Sequence, residues 1–370
     1  MLKMPMIGTI QPRKVKNKMK KLLAIVAAGM MLATSAFAGD KVKVGFVYVG
    51  PTGDHGWTYR HDIGRQGVQD HFGDKVETVY VESVKEGPDA ARVIRGMVMD
   101  GADIIFTTSF GYMEQTLKMA KMFPDVKFEH ATGYKQAKNM SSYGLRLYQA
   151  RHVQGIIAGL MTKTNKICYV ASYPIPEVIR EINTYFMGAR RMNPDVEMDI
   201  VWVNTWYDPG KESDAAKVLM TQGCDMIAQH TDSPAPMQAA EAQGRHGFGQ
   251  ASDQIVFAPD AQLTATIDNW TPYYIRKVGA VIDGTWESEN YFGGMKEGGV
   301  QMAPFTNMPD AVRAKAQEVK DQIENGEYFA FTGPLYDNEG NLQLAEGEVA
   351  TDFQLNSMNY YVEGIDAKVP

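Results

Sequence analysis

Short runs of consecutive apolar residues alternate along this chain with longer stretches in which apolar residues recur every three or four positions. Val42–Val49 (VKVGFVYV), Thr78–Val81 and Ile104–Thr108 are of the first kind and predict buried strands. Asp62–Phe72 and Asp89–Asp100, lying between them, are of the second kind and predict helices. Strands without polar alternation, separated by helices, signal a parallel sheet covered on both faces. Further on, Leu263–Ile267 reads as a strand, and Pro272–Gly284 and Ala311–Asn325 read as helices, the second capped by Gly326. Asp337-Asn338-Glu339-Gly340 reads as a tight turn.

The pattern is written twice. Gly101-Ala102-Asp103 before IIFTT corresponds to Gly223-Cys224-Asp225 before MIAQH, an offset of 122 residues. Val79-Tyr80-Val81 falls on Val201-Trp202-Val203 at the same offset, and GFVYV at 45–49 on ICYVA at 167–171. A whole βαβαβ unit thus keeps register, which predicts an α/β chain of two Rossmann-like lobes with parallel sheets. Ligands of such sheets bind outside the carboxyl ends of the strands. The segments to inspect are therefore Gly50–Tyr59 and Ser109–Tyr112 in lobe one. In lobe two they are Tyr173–Glu181, Asn204–Asp208, His230–Ser233 and Gln250–Gln254. The expected division is 39–147 with 270–325 for lobe one, and 148–269 with 326–370 for lobe two.

Residues 1–38 read as an address. Lys14, Lys16, Lys18, Lys20 and Lys21 precede an apolar stretch from Leu22 to Thr34, and Ala36-Phe37-Ala38 fits a small-x-small cleavage site. Met19 before Lys20 and Lys21 is a candidate start, which would make residues 1–18 an over-long annotation. The apolar run is shorter than the roughly 20 residues of a membrane span. Cleavage would leave Gly39 first, with no cysteine there for a lipid. The expectation is export to the periplasm without lipidation. The segment carries seven basic residues and no acidic one, so the remainder holds 30 Lys+Arg against 44 Asp+Glu, a formal charge of −14. That surface repels nucleic acid. The two cysteines, Cys168 and Cys224, lie in apolar strand-like segments, where buried free thiols are the favoured reading over a bond.

Catalytic constellations are missing from the sequence. The histidines (His55, His61, His71, His130, His152, His230, His246) show no HExxH or other metal spacing, and there is no GxSxG or Walker A motif. Gly50-Pro51-Thr52-Gly53 lacks the GxGxxG spacing of a dinucleotide loop, and Pro51 removes an amide. No cofactor, metal or catalytic residue is expected. What the strand ends do carry is aromatic and acidic. Trp57, Tyr59, Phe110, Tyr173, Trp206 and Trp270 are placed to enclose a flat heterocycle, each face worth roughly 1–3 kcal/mol. Among the strand-end carboxylates, which also include Glu177 and Asp208, Asp54, Glu181, Asp232 and Asp253 are placed to accept hydrogen bonds from its N–H or hydroxyl groups, with Arg146, Arg151 and Arg180 the cations expected nearest the same cleft.

These segments also carry a likeness. GFVYVGPTGDHGWTY, GADIIFTTSFGYMEQTLKMAKMFPDVKF, ASYPIPEVIREINTYFMGARRMNPD, VNTWYDP, AQHTDSPAP, FGQASDQ and DNWTPYYIRKV follow one another in an order that resembles the basic membrane protein family of ABC-transporter binding proteins, which includes purine-nucleoside receptors. The resemblance implies a type I periplasmic binding protein fold with three crossovers, a purine in the cleft, a monomer, and an inner-membrane ABC permease as partner. Nucleoside-binding members have an Asn/Ser-rich first loop where this chain has GDHGWTY, and an aromatic where Glu181 falls. They have a ribose-directed lysine where Asn269-Trp270 stand. Those departures imply a bare nucleobase such as adenine. The alternatives are a purine nucleoside receptor of the same transporter class and a nucleoside-processing enzyme, whose Asp-rich metal cluster is missing.

Overall fold

The computed structural model describes residues 41–370; the expected export segment, 1–38, lies outside the described residues. From Val42 onward the chain winds two six-stranded sheets. The first is built from β1 (Val42–Val47), β2 (Val76–Val81), β3 (Ile104–Thr107), β4 (Lys127–Ala131), β5 (Met140–Leu145) and, after a long excursion, β11 (Asn290–Gly293). The second holds β6 (Lys166–Ala171), β7 (Glu197–Trp202), β8 (Met226–His230), β9 (His246–Gly249), β10 (Gln262–Asp268) and β12 (Val300–Met302). Their orders, β2-β1-β3-β4-β5-β11 and β7-β6-β8-β9-β10-β12, are the same winding repeated, and only β12 runs antiparallel to its neighbour. The repeat seen in the sequence is therefore a repeat in space. Asp103 and Asp225 even do matching work, each accepting a backbone N–H at 2.7 Å, from Lys43 and Lys163.

Helices cover the sheets. In lobe one they are α1 (Trp57–Phe72), α2 (Pro88–Met99) and α3 (Met113–Met122). α4 (Tyr148–Met161), α5 (Pro176–Met192), α6 (Pro209–Thr221) and α7 (Ala235–Ala242) serve lobe two. α8 (Thr271–Ile282) returns to lobe one and packs on α1, and α9 (Asp310–Asn325) packs on α4. The helix expected to begin at Asp62 begins five residues earlier. The Asp54 carboxylate accepts the amides of Gly56, Thr58 and Tyr59 at 2.8–3.0 Å, satisfying donors that an uncapped first turn would leave open. At the other end of the chain Gly326, at φ 75°, closes α9 as expected.

The chain passes between lobes after β5, after β10 and between β11 and β12. The last passage divides the 270–325 stretch expected in lobe one: β12 pairs with β10, and α9 lies on a lobe-two helix. Periodicity identifies a helix but not the sheet beneath it, so the sequence carried no signal for this return.

Cys168 and Cys224 are disulfide-bonded, with Cα atoms 6.0 Å apart, which corrects the expectation of free thiols. Cys168 lies in β6 and Cys224 just before its neighbour β8. The pairing of Ile167 with Met226 brings them together across 56 residues of sequence.

α4 and α5 cross unusually closely. A Cβ on Gly155 would lie 2.1 Å from the Tyr185 carbonyl oxygen, and one on Gly159 2.2 Å from that of Ala189. Only glycine permits this backbone approach. The approach is made along the second half of α5, and one turn before it Arg151 of α4 reaches Glu181 of α5.

Candidate functional site

A pocket opens between the lobes at the carboxyl ends of both sheets. Lobe one lines it with Val49 and Trp57 after β1, Ser109 and Phe110 after β3, and Thr132 after β4. Lobe two contributes Ile175 and Glu177 at the start of α5, Trp206 after β7, and His230 and Asp232 at the end of β8. The Trp57 indole N–H donates to the Thr108 carbonyl at 2.6 Å, which fixes its ring. Trp270 meets Trp57 edge-on at 5.3 Å and stacks on His61 at 4.5 Å, supporting the lobe-one wall from behind.

Beneath the lobe-two wall lies a buried ionic layer. His230 stands 3.2 Å from Glu181 and 3.6 Å from Glu177. Arg151 reaches Glu181 at 3.2 Å, and Arg180 reaches Glu177 at 3.4 Å. The remaining Arg151 donors go to Gln154, the Gln229 carbonyl and Gln250, so the guanidinium is held on every side. Burial alone would lower the His230 imidazole, but Glu181 and Glu177 overcome it and hold the ring up to about 10, protonated at neutral pH. Burial pushes Glu181 up, and His230 with Arg151 and Arg180 brings it below the ordinary range.

Among the described residues, several buried acceptors have no hydrogen-bond partner: Asp232 Oδ2 on the pocket wall, and Glu181 Oε1 and both oxygens of Asp268, at the end of β10, outside its lining. Burial, then Asp54 and Glu212, raises Asp232 well above a normal aspartate. Burial, then Glu181, does the same to Asp268. Unpaired buried acceptors are costly in a finished core and are expected where a ligand supplies donors.

The ionic layer makes stability pH-dependent. His230 has a folded pKa above its unfolded value, so the stability it contributes is fully present below about 6.5 and lost as pH rises through about 10. Asp232 and Asp268 act in the same direction, since the fold favours their protonated forms. Buried His61, His130 and His152, held neutral by burial, act oppositely up to about pH 7. The unfolding midpoint of the empty protein is therefore expected to fall from about pH 7.5 to 10, and less steeply in His230→Gln. A midpoint that is flat or rising over that range would contradict the charge assignment.

Of the ten residues singled out in the sequence, Trp57, Phe110, Trp206 and Asp232 line this one pocket, and Glu181 lies in the layer below it. Trp270 stands behind Trp57. Tyr173 leans on Trp206 at 5.0 Å, and Tyr59 packs near His55 at 5.4 Å. Asp54 is turned into the start of α1, as described. Asp253 is exposed and accepts from the Ile255 amide and the Gln262 side chain, holding the turn before β10. Glu177 is among the strand-end carboxylates of the sequence and Arg151 among the cations expected near the cleft, whereas His230 and Asp268 were not candidates; their signal was position at a strand end and not motif. Glu177, Glu181 and His230 offer ligand atoms within 4.8 Å of one another, although no metal spacing is visible in the sequence. Each carboxylate already faces an arginine, so the charge a cation would neutralise is balanced.

The family model for ABC transporter substrate-binding proteins of the PnrA-like type matches residues 41–335. A purine-binding protein of Brucella abortus is 54% identical over 349 residues, 94% of this chain and 100% of the relative. A putative ABC transporter glucose-binding protein of Haloferax volcanii is 35% identical, over 90% of this chain and 82% of its own length. Among solved structures, an ABC transporter solute-binding protein from Aeropyrum pernix superposes with a TM-score of 0.69 at 20% identity, covering 77% of this chain and 92% of that one. Such a distant structure speaks to the fold alone.

Proposed function

The chain belongs to the PnrA-like family of ABC transporter substrate-binding proteins, receptors and not enzymes, and from that premise we propose that its cleft takes a purine base and presents it to an inner-membrane permease. The observation that carries this reading is the meeting of aromatic walls with unpaired acceptors. Trp57, Phe110 and Trp206 bound the pocket, while Asp232, Asp268 and Glu181 offer oxygens without donors. A flat ring bearing N–H groups on its edge answers both features. The same chemistry does not suit a phosphate or carboxylate ligand. The purine named for the Brucella relative supports the reading. The glucose named for the Haloferax relative favours a second one, because hydroxyl donors would also satisfy the acceptors. The protein is proposed to act as a periplasmic monomer, delivered there by the basic and apolar segment at its start.

Calorimetric titration with adenine, adenosine and glucose side by side tests this. Adenine is expected to bind most tightly. Trp57→Ala is expected to weaken it by about 1–3 kcal/mol, roughly ten- to a hundredfold. Tighter binding of adenosine would replace the base with the nucleoside, and tighter binding of glucose would remove the purine altogether.

A further inference from the structure

Polar contacts join the lobes around the pocket. The Trp206 indole N–H of lobe two donates to Glu86 Oε1 of lobe one at 3.3 Å. That oxygen also accepts from the Ser109 hydroxyl at 2.6 Å and the Gly111 amide at 3.0 Å, both within lobe one. The carboxylate is therefore aimed before lobe two arrives. It is also seated tightly: a Cβ on Gly111 would fall 2.3 Å from Glu86 Cδ. Ser109, Phe110 and Trp206 are pocket walls, so this interlobe contact is one bond away from the surface that lines the pocket.

A second approach, made by backbone, lies nearby. A Cβ on Gly56 of lobe one would be 2.2 Å from the Asp232 carbonyl oxygen of lobe two. Carbonyl oxygens of a packed strand end cannot move aside as a side chain does, so the shut cleft has room for glycine alone. The His55 carbonyl next to it accepts from the Ser252 hydroxyl and from Gln254 Nε2, again across the lobes.

We propose that Glu86 is the closing latch of the cleft, a positioning residue that holds Trp206 against the pocket when the lobes shut, and that Gly56 provides the clearance the latch needs. This rests on the cleft being the binding site, but not on which ligand fills it. With adenine as the probe, Glu86→Ala is expected to raise koff about tenfold and change kon less than twofold. Glu86→Gln keeps an oxygen for the same three donors and is expected to stay near wild type. Gly56→Ala is expected to lower affinity at least a hundredfold and to keep the scattering radius of the saturated protein at its empty value, with the empty protein's melting temperature unchanged. Interlobe distances from spin labels on the unliganded protein report the shut fraction without any ligand, and both Glu86→Ala and Gly56→Ala are expected to reduce it. The latch is overturned if Glu86→Ala leaves koff and that distribution as in wild type, or if Gly56→Ala closes normally. Wild type that ignores adenine sinks the purine reading only, because the distance measurement still decides the latch.

Discussion

Replacing Lys277 with methionine is expected to destabilise the protein by about 3–5 kcal/mol, the usual cost of removing one partner from a buried ion pair. Lys277 sits on α8, the helix that returns to lobe one after the second crossover, and is only 2% exposed. Its ammonium lies 3.2 Å from Glu129 Oε1, donates to the Ser141 hydroxyl and the Glu287 carbonyl, and stands 4.5 Å over the Trp286 ring. Glu129, wholly buried on β4, also accepts from Tyr273 at 2.6 Å and Trp286 at 2.7 Å. Burial pushes its carboxyl up to about 7 even with these partners, Lys277 being the largest opposing influence. Without the ammonium the acid must protonate or stay charged and uncompensated, and either outcome costs stability. Glu129→Gln in the same chain is expected to recover most of the loss, since an amide oxygen can still accept from Tyr273 and Trp286. Denaturant unfolding of the single and double variants measures both steps. A single variant within 1 kcal/mol of wild type, or a double variant no better than the single, would show that the cluster does not anchor α8.

That cluster also shows where the sequence could be read and where it could not. The two windings were legible because the central strands β1, β3, β6 and β8 are buried along most of their length and largely apolar, while the edge strand β2 leaves Tyr80 and Val81 exposed, and because the turn before the third strand repeats as Gly-Ala-Asp and Gly-Cys-Asp. The pocket was legible to the extent that strand ends locate it, which is how Trp57, Phe110, Trp206 and Asp232 were found. Partnership was not legible. Asp54 and Asp253 are acidic residues after strands, as Asp232 is, yet their oxygens are turned to backbone amides and a neighbouring amide side chain. Only the local path of the chain distinguishes a carboxylate that caps from one that waits for a donor. His230 looked isolated because its partners, Glu177 and Glu181, come from a helix about fifty residues away. The cysteines were misread for the same reason, since strand adjacency and not sequence distance brings them together.

Asp268→Asn is expected to weaken adenine binding by roughly a hundredfold while making the empty protein more stable. The two effects have one cause. Asp268 is fully buried, neither of its oxygens has a hydrogen-bond partner among the described residues, and burial together with Glu181 and Glu177 holds its carboxyl well above a normal aspartate. The fold therefore works against the ionised form, and the stability tied to its proton is lost progressively as pH rises above about 3.9. An amide of the same shape removes that penalty, so the gain in the empty protein should grow between pH 5 and 9. Binding responds in the opposite sense. A ligand N–H meets a carboxylate in a charge-assisted hydrogen bond, worth more than a neutral one and more again out of water. Asparagine keeps one acceptor but turns an NH2 toward the same ligand edge, so one donor of the base faces another donor. A loss near 2.7 kcal/mol corresponds to the hundredfold change, and the Trp57→Ala loss should add to it if the two side chains touch separate parts of the ring. Titration calorimetry and melting curves of the same preparations test both directions together. If Asp268→Asn binds adenine as wild type does, its oxygens do not face the ligand. If it also melts earlier, the carboxylate is paired in the empty protein and the acceptor floor of the cleft has to be drawn without it.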